Sequence, residues 1–254
     1  MVLSGRLQML ADMVTPGSVL ADVGCDHGFL SIYLVQAGVC PRAVAMDVRK
    51  GPLAGAGKHI EEYGLGDYIE TRLSDGLAEC SVGEFGAVVC AGMGGRLMER
   101  ILTEGREKLQ GVRELILQPQ SELGEFRAFL RRAGYVLVQE DAVFEEGKYY
   151  FAMKACPDNS SAAGSLTAEN GESARRREEL ADRFGGLLLE AAHPVLLGYL
   201  RQREAHLRQV ESSLGAADSR RAEEALAGIR RELTDIELAY EICGSGRGEG
   251  SSPA

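Results

Sequence analysis

Acidic residues and glycines alternate in one short stretch of this sequence, directly after a run of apolar residues. Asp22, Gly24 and Asp26 occupy every second position, and Asp47 ends the next apolar run. A strand with a glycine turn, then a helix and a second strand with a terminal acid, form the first unit of nucleoside-binding folds. The sequence therefore predicts a site for an adenosine-containing cofactor at the carboxyl ends of a parallel sheet.

The residue types in this turn help to distinguish two cofactors. A dinucleotide site requires G-x-G-x-x-G, but the corresponding positions here are Gly24, Asp26 and Phe29. A carboxylate would face the pyrophosphate, and a bulky ring would keep the helix from packing closely. S-adenosylmethionine has no phosphate, and carboxylates such as Asp22 and Asp26 attract its cationic groups. The turn, with Cys25 inside it, therefore favours a methyltransferase over a dehydrogenase.

Two segments that follow predicted strands could hold the adenosine. Asp47, with Val48 beside it, ends the second strand, where a carboxylate can accept both ribose hydroxyls. Asp75 and Gly76 follow the third strand, and Asp75 can accept a hydrogen bond from the adenine amine. The alternatives are a solvated acid at a strand end and a plain Asp-Gly turn.

A glycine-rich segment follows the fourth strand. Ala91, Gly92 and Met93 precede two further glycines, and glycine lets the backbone approach a ligand closely. We interpret this segment as a floor for the methyl group and the target base; the alternative is a tight turn before the next helix. Residues 118–120, Gln-Pro-Gln, could line the same cleft.

Alternating strands and helices would bring these loops together. Most predicted strands are too uniformly apolar for a sheet with one wet face, which favours an α/β fold with helices on both faces of a parallel sheet. After Gly134 the pattern changes to two strands joined by a short polar loop, so the final pair should be antiparallel. Predicted strands cover residues 19–23, 43–46, 68–73, 87–91, 115–117, 135–143 and 149–154, and predicted helices cover 3–14, 29–37, 52–63, 96–108 and 122–133.

The rest of the chain has a different composition. A stretch poor in large apolar residues predicts a flexible linker. Two apolar repeats follow, over residues 194–214 and 220–242, and they predict an antiparallel helical hairpin with a coiled-coil seam. The predicted regions are a cofactor-binding domain at 1–155, a linker at 156–178, the hairpin domain at 179–243 and a disordered tail at 244–254.

Charge, cysteines and hydropathy restrict the class of protein. The net charge of −10 argues against indiscriminate coating of nucleic acid, although it permits a local basic patch. The six cysteines lack C-x-x-C pairs and metal spacing with His, so we expect reduced thiols and no metal. The sequence has no apolar run of about 18 residues and no signal-peptide layout, which favours a cytoplasmic protein without a membrane span.

The turn with acids and glycines from Asp22 to His27 and the glycine-rich segment from Ala91 to Gly95 occur here with three further motifs. Together these motifs resemble the bacterial TrmK family, the tRNA (adenine(22)-N1)-methyltransferases. The resemblance covers residues 1–155 closely and the predicted hairpin loosely. In some relatives the ribose-binding acid is Glu, whereas this chain has Asp47, and the Ser-rich linker is unusually long. The matching motifs are Arg6-Leu7, D-V-G-C-D-H from Asp22 to His27, A-G-M-G-G from Ala91 to Gly95, L-I-L-Q-P from Leu115 to Pro119, and E-x-G-K-Y-Y ending at Tyr150.

The resemblance implies a class I methyltransferase fold, a seven-stranded sheet with an antiparallel last strand, S-adenosylmethionine as donor and adenine N1 of tRNA as acceptor. Catalysis would be direct transfer without a covalent enzyme intermediate, with Asp26, His27, Gly92 and Met93 around the reacting atoms. Asp26 would stabilise the cationic base or take its proton, or would contact the amino group of the cofactor. His27 would donate to the base or cap the following helix.

RNA binding needs basic side chains, and the family match gives weight to a set of arginines. Each of them could equally belong to a solvated helix face. Three alternative functions stay open: methylation of a protein or small molecule, a non-catalytic module that binds cofactor and RNA, and a hairpin that forms a homodimer where we expect a monomer. The candidate RNA-binding residues are Arg6, Arg96, Arg100, Arg201, Arg203 and Arg208.

Overall fold

The computed structural model describes residues 1–158, 171–214 and 220–245. These residues belong to two compact units, Met1–Leu166 and Thr167–Ala254.

The first unit contains one seven-stranded sheet. Its strand order is β3-β2-β1-β4-β5-β7-β6, in which β1 to β5 are parallel and β7 runs antiparallel to both neighbours. This topology confirms the predicted fold class. The strands are β1 Leu20–Val23, β2 Ala43–Asp47, β3 Ile69–Leu73, β4 Ala87–Met93, β5 Glu114–Pro119, β6 Tyr135–Glu145 and β7 Lys148–Pro157, and the helices are α1 Gly5–Met13, α2 Phe29–Gln36, α3 Lys50–Glu62, α4 Gly95–Glu104 and α5 Leu123–Arg132.

Helices cover both faces of the sheet, as the apolar strands predict. Every residue of β1, β2 and β5 is buried. Successive side chains along a strand point to opposite faces, so Leu20 packs with the core under α1, α2 and α3, whereas Ala21 packs with the core under α4 and α5. The loops at the carboxyl ends of the strands are therefore mounted on a rigid scaffold.

Buried ion pairs connect the last two strands to the rest of the unit. The Arg127 Nε of α5 donates to the Glu140 Oε1 of β6 at 2.7 Å, and these side chains are only 3% and 0% exposed. Lys154 of β7 pairs with Glu114 at 2.7 Å and also donates to the backbone carbonyl of Met13 at 2.9 Å. These bonds between residues far apart in the sequence thus hold α1, α5 and the β6–β7 strand pair together.

The second unit contains four helices within the part that the structure describes. The predicted helices over 194–214 and 220–242 correspond to α8 and α9, which contact each other. Their buried apolar residues include Leu196, Leu200 and Leu207 on α8 and Leu233, Ile236 and Ala239 on α9. The predicted turn at 215–219 and residues 246–254 of the predicted tail lie outside the described residues. Residues 244 and 245 were also predicted as tail, but they belong to α9. The helices are α6 Glu172–Phe184, α7 Gly186–Glu190, α8 Pro194–Leu214 and α9 Arg220–Ser245.

The predicted linker at 156–178 is wrong at both ends. Strand β7 continues to Pro157, and α6 begins at Glu172. Leu180 and Phe184 are buried, and the Asp235 carboxylate of α9 accepts from two arginines of α6, so packing and charge stabilise a helix whose sequence is mostly polar. Residues 159–170 of the predicted linker lie outside the described ranges.

Candidate active site

A cavity of about 620 Å³ opens where β1, β2 and β4 end. This volume lies in the range of small-molecule sites in proteins. It brings together most of the residues predicted from the sequence. Those that line it are Gly24, Asp26, Asp47, Val48, Asp75, Gly76, Ala91, Gly92, Met93, Arg6 and Arg100.

Asp47 forms a fixed carboxylate in the cavity wall. Its side chain is almost fully buried, and its Oδ1 accepts from the backbone N–H of Arg49 at 2.8 Å, with Arg49 Nε at 3.6 Å. Val48 between them is 61% exposed and offers an apolar surface beside the carboxylate. This arrangement suits a nucleoside. The ribose hydroxyls can donate hydrogen bonds to the oriented carboxylate, and the base can pack against the apolar side chain.

Asp75 is paired within the cavity wall. Both of its oxygens accept from the Arg100 guanidinium, at 2.8 and 3.1 Å, and this lowers the pKa of Asp75. Arg100 also pairs with Glu104 at 3.1 Å. This geometry favours a structural role for Arg100 over the predicted RNA contact, and an adenine amine would have to share Asp75 with it.

Asp22 and Cys25, which the sequence predicts to contact the cofactor, are not among the residues that line the cavity. Asp22 is 4% exposed, and its Oδ2 accepts from the Ser31 hydroxyl of α2 at 2.7 Å. Burial raises the pKa of Asp22 to about 6. Cys25 is also buried, and desolvation raises the pKa of its thiol far above the ordinary range. The thiol is therefore unsuited to act as a nucleophile.

Asp22 should make the free energy of unfolding depend on pH. The folded state keeps its proton up to a pKa of about 6, whereas the unfolded state releases it near 3.8. Stability should therefore fall as pH rises from about 4 to 6, by about 3 kcal/mol at most. Asp22→Asn should remove this decrease in the free energy of unfolding. At pH 7 the variant should unfold at a higher denaturant concentration than the wild type. Denaturation with the exposed Asp67→Asn variant as control measures the effect; parallel pH profiles for Asp22→Asn and the wild type would contradict it.

Asp26 presents an exposed carboxylate to the cavity from a left-handed backbone, with φ of 50°. His27 Nε2 lies 3.7 Å from this carboxylate, and the His27 ring packs near Phe29 and His59 outside the cavity lining. The alternative that His27 caps the next helix is wrong, because Gly28 is the N-cap of α2 and no side chain caps it. Asp26 is thus an exposed carboxylate in the cavity lining that a bound ligand can reach, with His27 beside it.

The glycine-rich segment bulges at the end of β4. The register between β4 and β5 shifts between Ala91 and Met93, and Gly92 has a φ of 79°. A Cβ on Gly92 would lie 3.5 Å from Arg6 Nη1 and 3.9 Å from Gln120 Nε2. The Met93 side chain lies against Gly24, where a Cβ would come within 2.4 Å of its terminal methyl group. The segment forms part of the cavity wall, as predicted.

Gly92→Ala should reduce turnover, beyond the cost in stability that its backbone conformation imposes. The left-handed conformation costs an alanine about 1–2 kcal/mol, and the new methyl group would fill the space between Arg6 and Gln120. We expect a loss in kcat of roughly tenfold or more, of the kind that follows a small misplacement of substrate. Gly111→Ala is the matched control, because Gly111 has a φ of 86° and open space around it. Equal losses of activity in both variants would contradict the steric explanation.

Arg6 is held in the cavity wall by three elements. Its Nη1 donates to Gln118 Oε1 at 3.1 Å, and its guanidinium lies 5.6 Å from the centre of the Tyr150 ring. The Glu145 carboxylate at the end of β6 accepts from the backbone N–H groups of Gly5 and Arg6 at 2.7 and 3.1 Å, which fixes the start of α1. Arg6 is therefore fixed in the wall of the cavity, and its role in RNA binding stays a prediction.

The other predicted RNA-binding arginines differ in their partners. Arg96 is 87% exposed and lies 3.2 Å from Glu122 in the first unit. In the second unit, Arg203 makes two bonds to Glu232 at 2.7 and 3.0 Å, and Arg208 pairs with Glu204 at 2.8 Å. Arg201 is exposed on α8. Their role in RNA binding stays a prediction.

Metal binding and membrane insertion are two further properties that define the class of protein. Within residues 1–158, 171–214 and 220–245, no three His, Cys, Asp or Glu side chains are grouped so that they could hold a metal ion. None of the helices in these ranges has the length and hydropathy needed to cross a membrane.

Comparison with known proteins connects this cavity to one enzyme family. Residues 3–153 match the methyltransferase domain family. A tRNA (adenine(22)-N(1))-methyltransferase of Bacillus subtilis is 32% identical over 247 residues, which cover 96% of this chain and 98% of the relative.

Solved structures agree with the sequence match. The crystal structure of the Bacillus subtilis m1A22 tRNA methyltransferase TrmK superposes with a TM-score of 0.78 at 29% identity, covering 94% of this chain and 98% of that one. Streptococcus pneumoniae Sp1610 in complex with S-adenosyl-L-methionine superposes with a TM-score of 0.77 at 31% identity, covering 94% and 99%. Because the likeness extends over nearly the whole of both chains, this chain belongs to the tRNA (adenine(22)-N1)-methyltransferase family.

Proposed function

We propose that this protein transfers a methyl group from S-adenosylmethionine to N1 of adenine 22 in tRNA, in the cytoplasm. The observation that carries the proposal is the cavity at the strand ends, in which the fixed Asp47 carboxylate, the exposed Asp26 carboxylate and the side-chain-free Gly92 meet. The relative from Bacillus subtilis is named for this reaction.

The residues of the cavity fit S-adenosylmethionine. Asp47 would accept the ribose hydroxyls, because one of its oxygens is already oriented by Arg49 N–H and the carboxylate stays at the wall. Val48 would pack against the adenine. Carboxylates in the lining suit a cation, since opposite charges attract strongly where water is partly excluded.

When bound, the cofactor supplies an electrophilic methyl group. The protein then acts mainly by positioning, which can provide a large part of a rate enhancement. The target adenine has to leave its stack to reach the cavity, and Gly92 leaves room for it beside Met93. Asp26 would accept the N6 proton or stabilise the positive charge that N1 methylation creates. Cys90 near the site is buried and its pKa is raised to about 12, which agrees with direct transfer.

Nucleoside analysis tests the proposal. The protein is incubated with labelled S-adenosylmethionine and unmodified tRNA, and with the same tRNA carrying guanine at position 22. We expect 1-methyladenosine with the first and no product with the second. N6-methyladenosine, a methylated protein or turnover without RNA would overturn the proposal in favour of another methyltransferase class, and binding of both ligands without product would indicate a non-catalytic module.

We also propose that the helical unit helps to bind tRNA, with a coiled-coil pairing of α8 and α9. Arg201 is exposed, whereas the Arg208 guanidinium is held by Glu204. Arg201→Ala should therefore weaken tRNA binding and reduce the slope of log affinity against log salt by about one, as expected for one phosphate contact. Arg208→Ala is the comparison and should have a smaller effect. Unchanged affinity and salt slope in Arg201→Ala would contradict this role, and sedimentation at several concentrations tests for a dimer.

A further inference from the structure

A space about the size of a methyl group lies beside Gly92, between two residues that carry hydrogen-bond donors. The position of an absent Cβ on Gly92 is 3.5 Å from Arg6 Nη1 and 3.9 Å from Gln120 Nε2. All three residues line the cavity. A flat ligand that enters beside Gly92 would therefore meet the Gln120 amide at its edge.

The backbone of Gln120 is fixed, but its amide is available. Its N–H donates to the Met93 carbonyl at 2.8 Å, and the preceding Pro119 pairs with Met93 in the sheet. The Gln120 side chain is exposed to the cavity, and among the described residues its amide has no hydrogen-bond partner. A rigid backbone with an uncommitted side-chain amide is what a recognition residue needs.

Gln118, two residues earlier in the chain, has different surroundings from Gln120. Gln118 is fully buried, and its Oε1 accepts from Arg6 at 3.1 Å. Because a guanidinium only donates, this bond also fixes which end of the Gln118 amide faces Arg6. Arg6 is in turn held over the Tyr150 ring. Gln118 thus directs its Oε1 to Arg6, and its Nε2 is buried without a hydrogen-bond partner among the described residues. Gln120, not Gln118, lines the cavity and is placed to meet the ligand.

The chemistry of N1 methylation restricts how adenine can be held. N1 lies on the Watson–Crick edge and must keep its lone pair free for the methyl group. The opposite edge offers the N6 amine as a donor and N7 as an acceptor, and a glutamine amide matches this pair in a bidentate manner. Guanine offers two acceptors, O6 and N7, on the same edge, so it would place an acceptor against the amide oxygen.

We propose that Gln120 selects adenine by this edge, with Oε1 accepting from N6 and Nε2 donating to N7, while N1 stays exposed to the methyl donor. This inference rests on the proposed function and adds a specificity-determining residue to it.

The test combines an enzyme variant with a base analogue. Transfer RNA with 7-deazaadenine at position 22 lacks the N7 acceptor but keeps N1 and N6. In wild-type protein the analogue should lower kcat/KM by roughly tenfold or more, and Gln120→Ala should lower it by roughly ten- to hundredfold with ordinary tRNA. For Gln120→Ala, kcat/KM with the analogue should be only slightly lower than with ordinary tRNA, because this variant already lacks the bond to N7. Gln110→Ala, an exposed glutamine outside the cavity, should respond to the analogue as the wild type does.

A second variant should reverse the effect of the analogue on methylation. In Gln120→Glu the carboxylate can still accept from N6 but faces N7 with a lone pair, so 7-deazaadenine should be methylated as well as adenine or better. The dissociation constant for S-adenosylmethionine should stay within about twofold in both variants, which distinguishes base selection from a general loss of structure.

The outcomes separate the inference from the proposed function. Suppose that the wild-type protein forms 1-methyladenosine, but the fold losses in kcat/KM from Gln120→Ala and from 7-deazaadenine multiply when they are combined. The inference is then overturned and the proposed function stands. The same conclusion follows if both variants lose cofactor binding. If wild-type protein forms no 1-methyladenosine, both are overturned.

Discussion

Asp26→Asn is expected to lower kcat by roughly 100-fold or more, the contribution typical of a general base or a charge that acts at the reacting group. The side chain is exposed in the cavity and its backbone has a φ of 50°. Asparagine tolerates this left-handed conformation, so the fold should be retained. The substitution keeps the shape of the side chain and removes only its charge and its ability to accept a proton.

Methyl transfer measured beside calorimetric binding of S-adenosylmethionine separates the two roles of Asp26. If Asp26 acts on the base, the dissociation constant of the cofactor should change by less than about threefold. Asp67→Asn, an exposed acid outside the cavity, provides the control and should leave both quantities unchanged. Losses of similar size in turnover and in cofactor affinity would instead indicate that Asp26 contacts the amino group of the cofactor.

Arg127→Met should have the largest effect on stability. The side chains of Arg127 and Glu140 are almost fully buried and share a 2.7 Å bond between α5 and β6. Arg127→Met deprives the buried Glu140 carboxylate of this bond, and breaking a buried ion pair typically costs about 3–5 kcal/mol. The double variant Arg127→Met with Glu140→Leu should recover most of this loss, because two apolar side chains can replace a buried ion pair at little cost.

Denaturant unfolding of the single and double variants measures this coupling. Arg132→Met changes an exposed arginine on the same helix and should shift the free energy of unfolding by no more than about 0.5 kcal/mol. A loss below about 1 kcal/mol in Arg127→Met, or a double variant as unstable as the single one, would show that the pair does not stabilise the fold in this way.

Local sequence patterns were sufficient to predict most of the catalytic unit. Uniformly apolar runs such as 43–46 are read correctly as strands, since a parallel sheet buries both of its faces. Asp47 and Gly92 were placed in the cavity because strand ends meet at one edge of such a sheet. These inferences depend only on residues close together in the chain.

Pairing between distant residues explains what the sequence could not predict. Arg100 was a candidate for RNA binding, yet it is bound to Asp75, 25 residues away. Residues 172–178 of α6 were assigned to the linker because the helix buries only two large apolar residues, Leu180 and Phe184. The partner that stabilises the helix, Asp235, lies far away in the sequence on α9. Asp22 looked like a contact of the cofactor, but its carboxyl group is turned toward Ser31 of α2.

The attachment of α1 to the β6–β7 strand pair affects how the enzyme is made in the cell. Gly5 depends on Glu145 for its hydrogen bond, across 140 residues of chain, and Met13 is bound by Lys154. During translation these partners emerge from the ribosome long after α1 does. The nascent protein therefore cannot place Arg6 in the cavity until nearly the whole catalytic unit has been synthesised, so an incomplete chain has no finished site with which to capture a substrate.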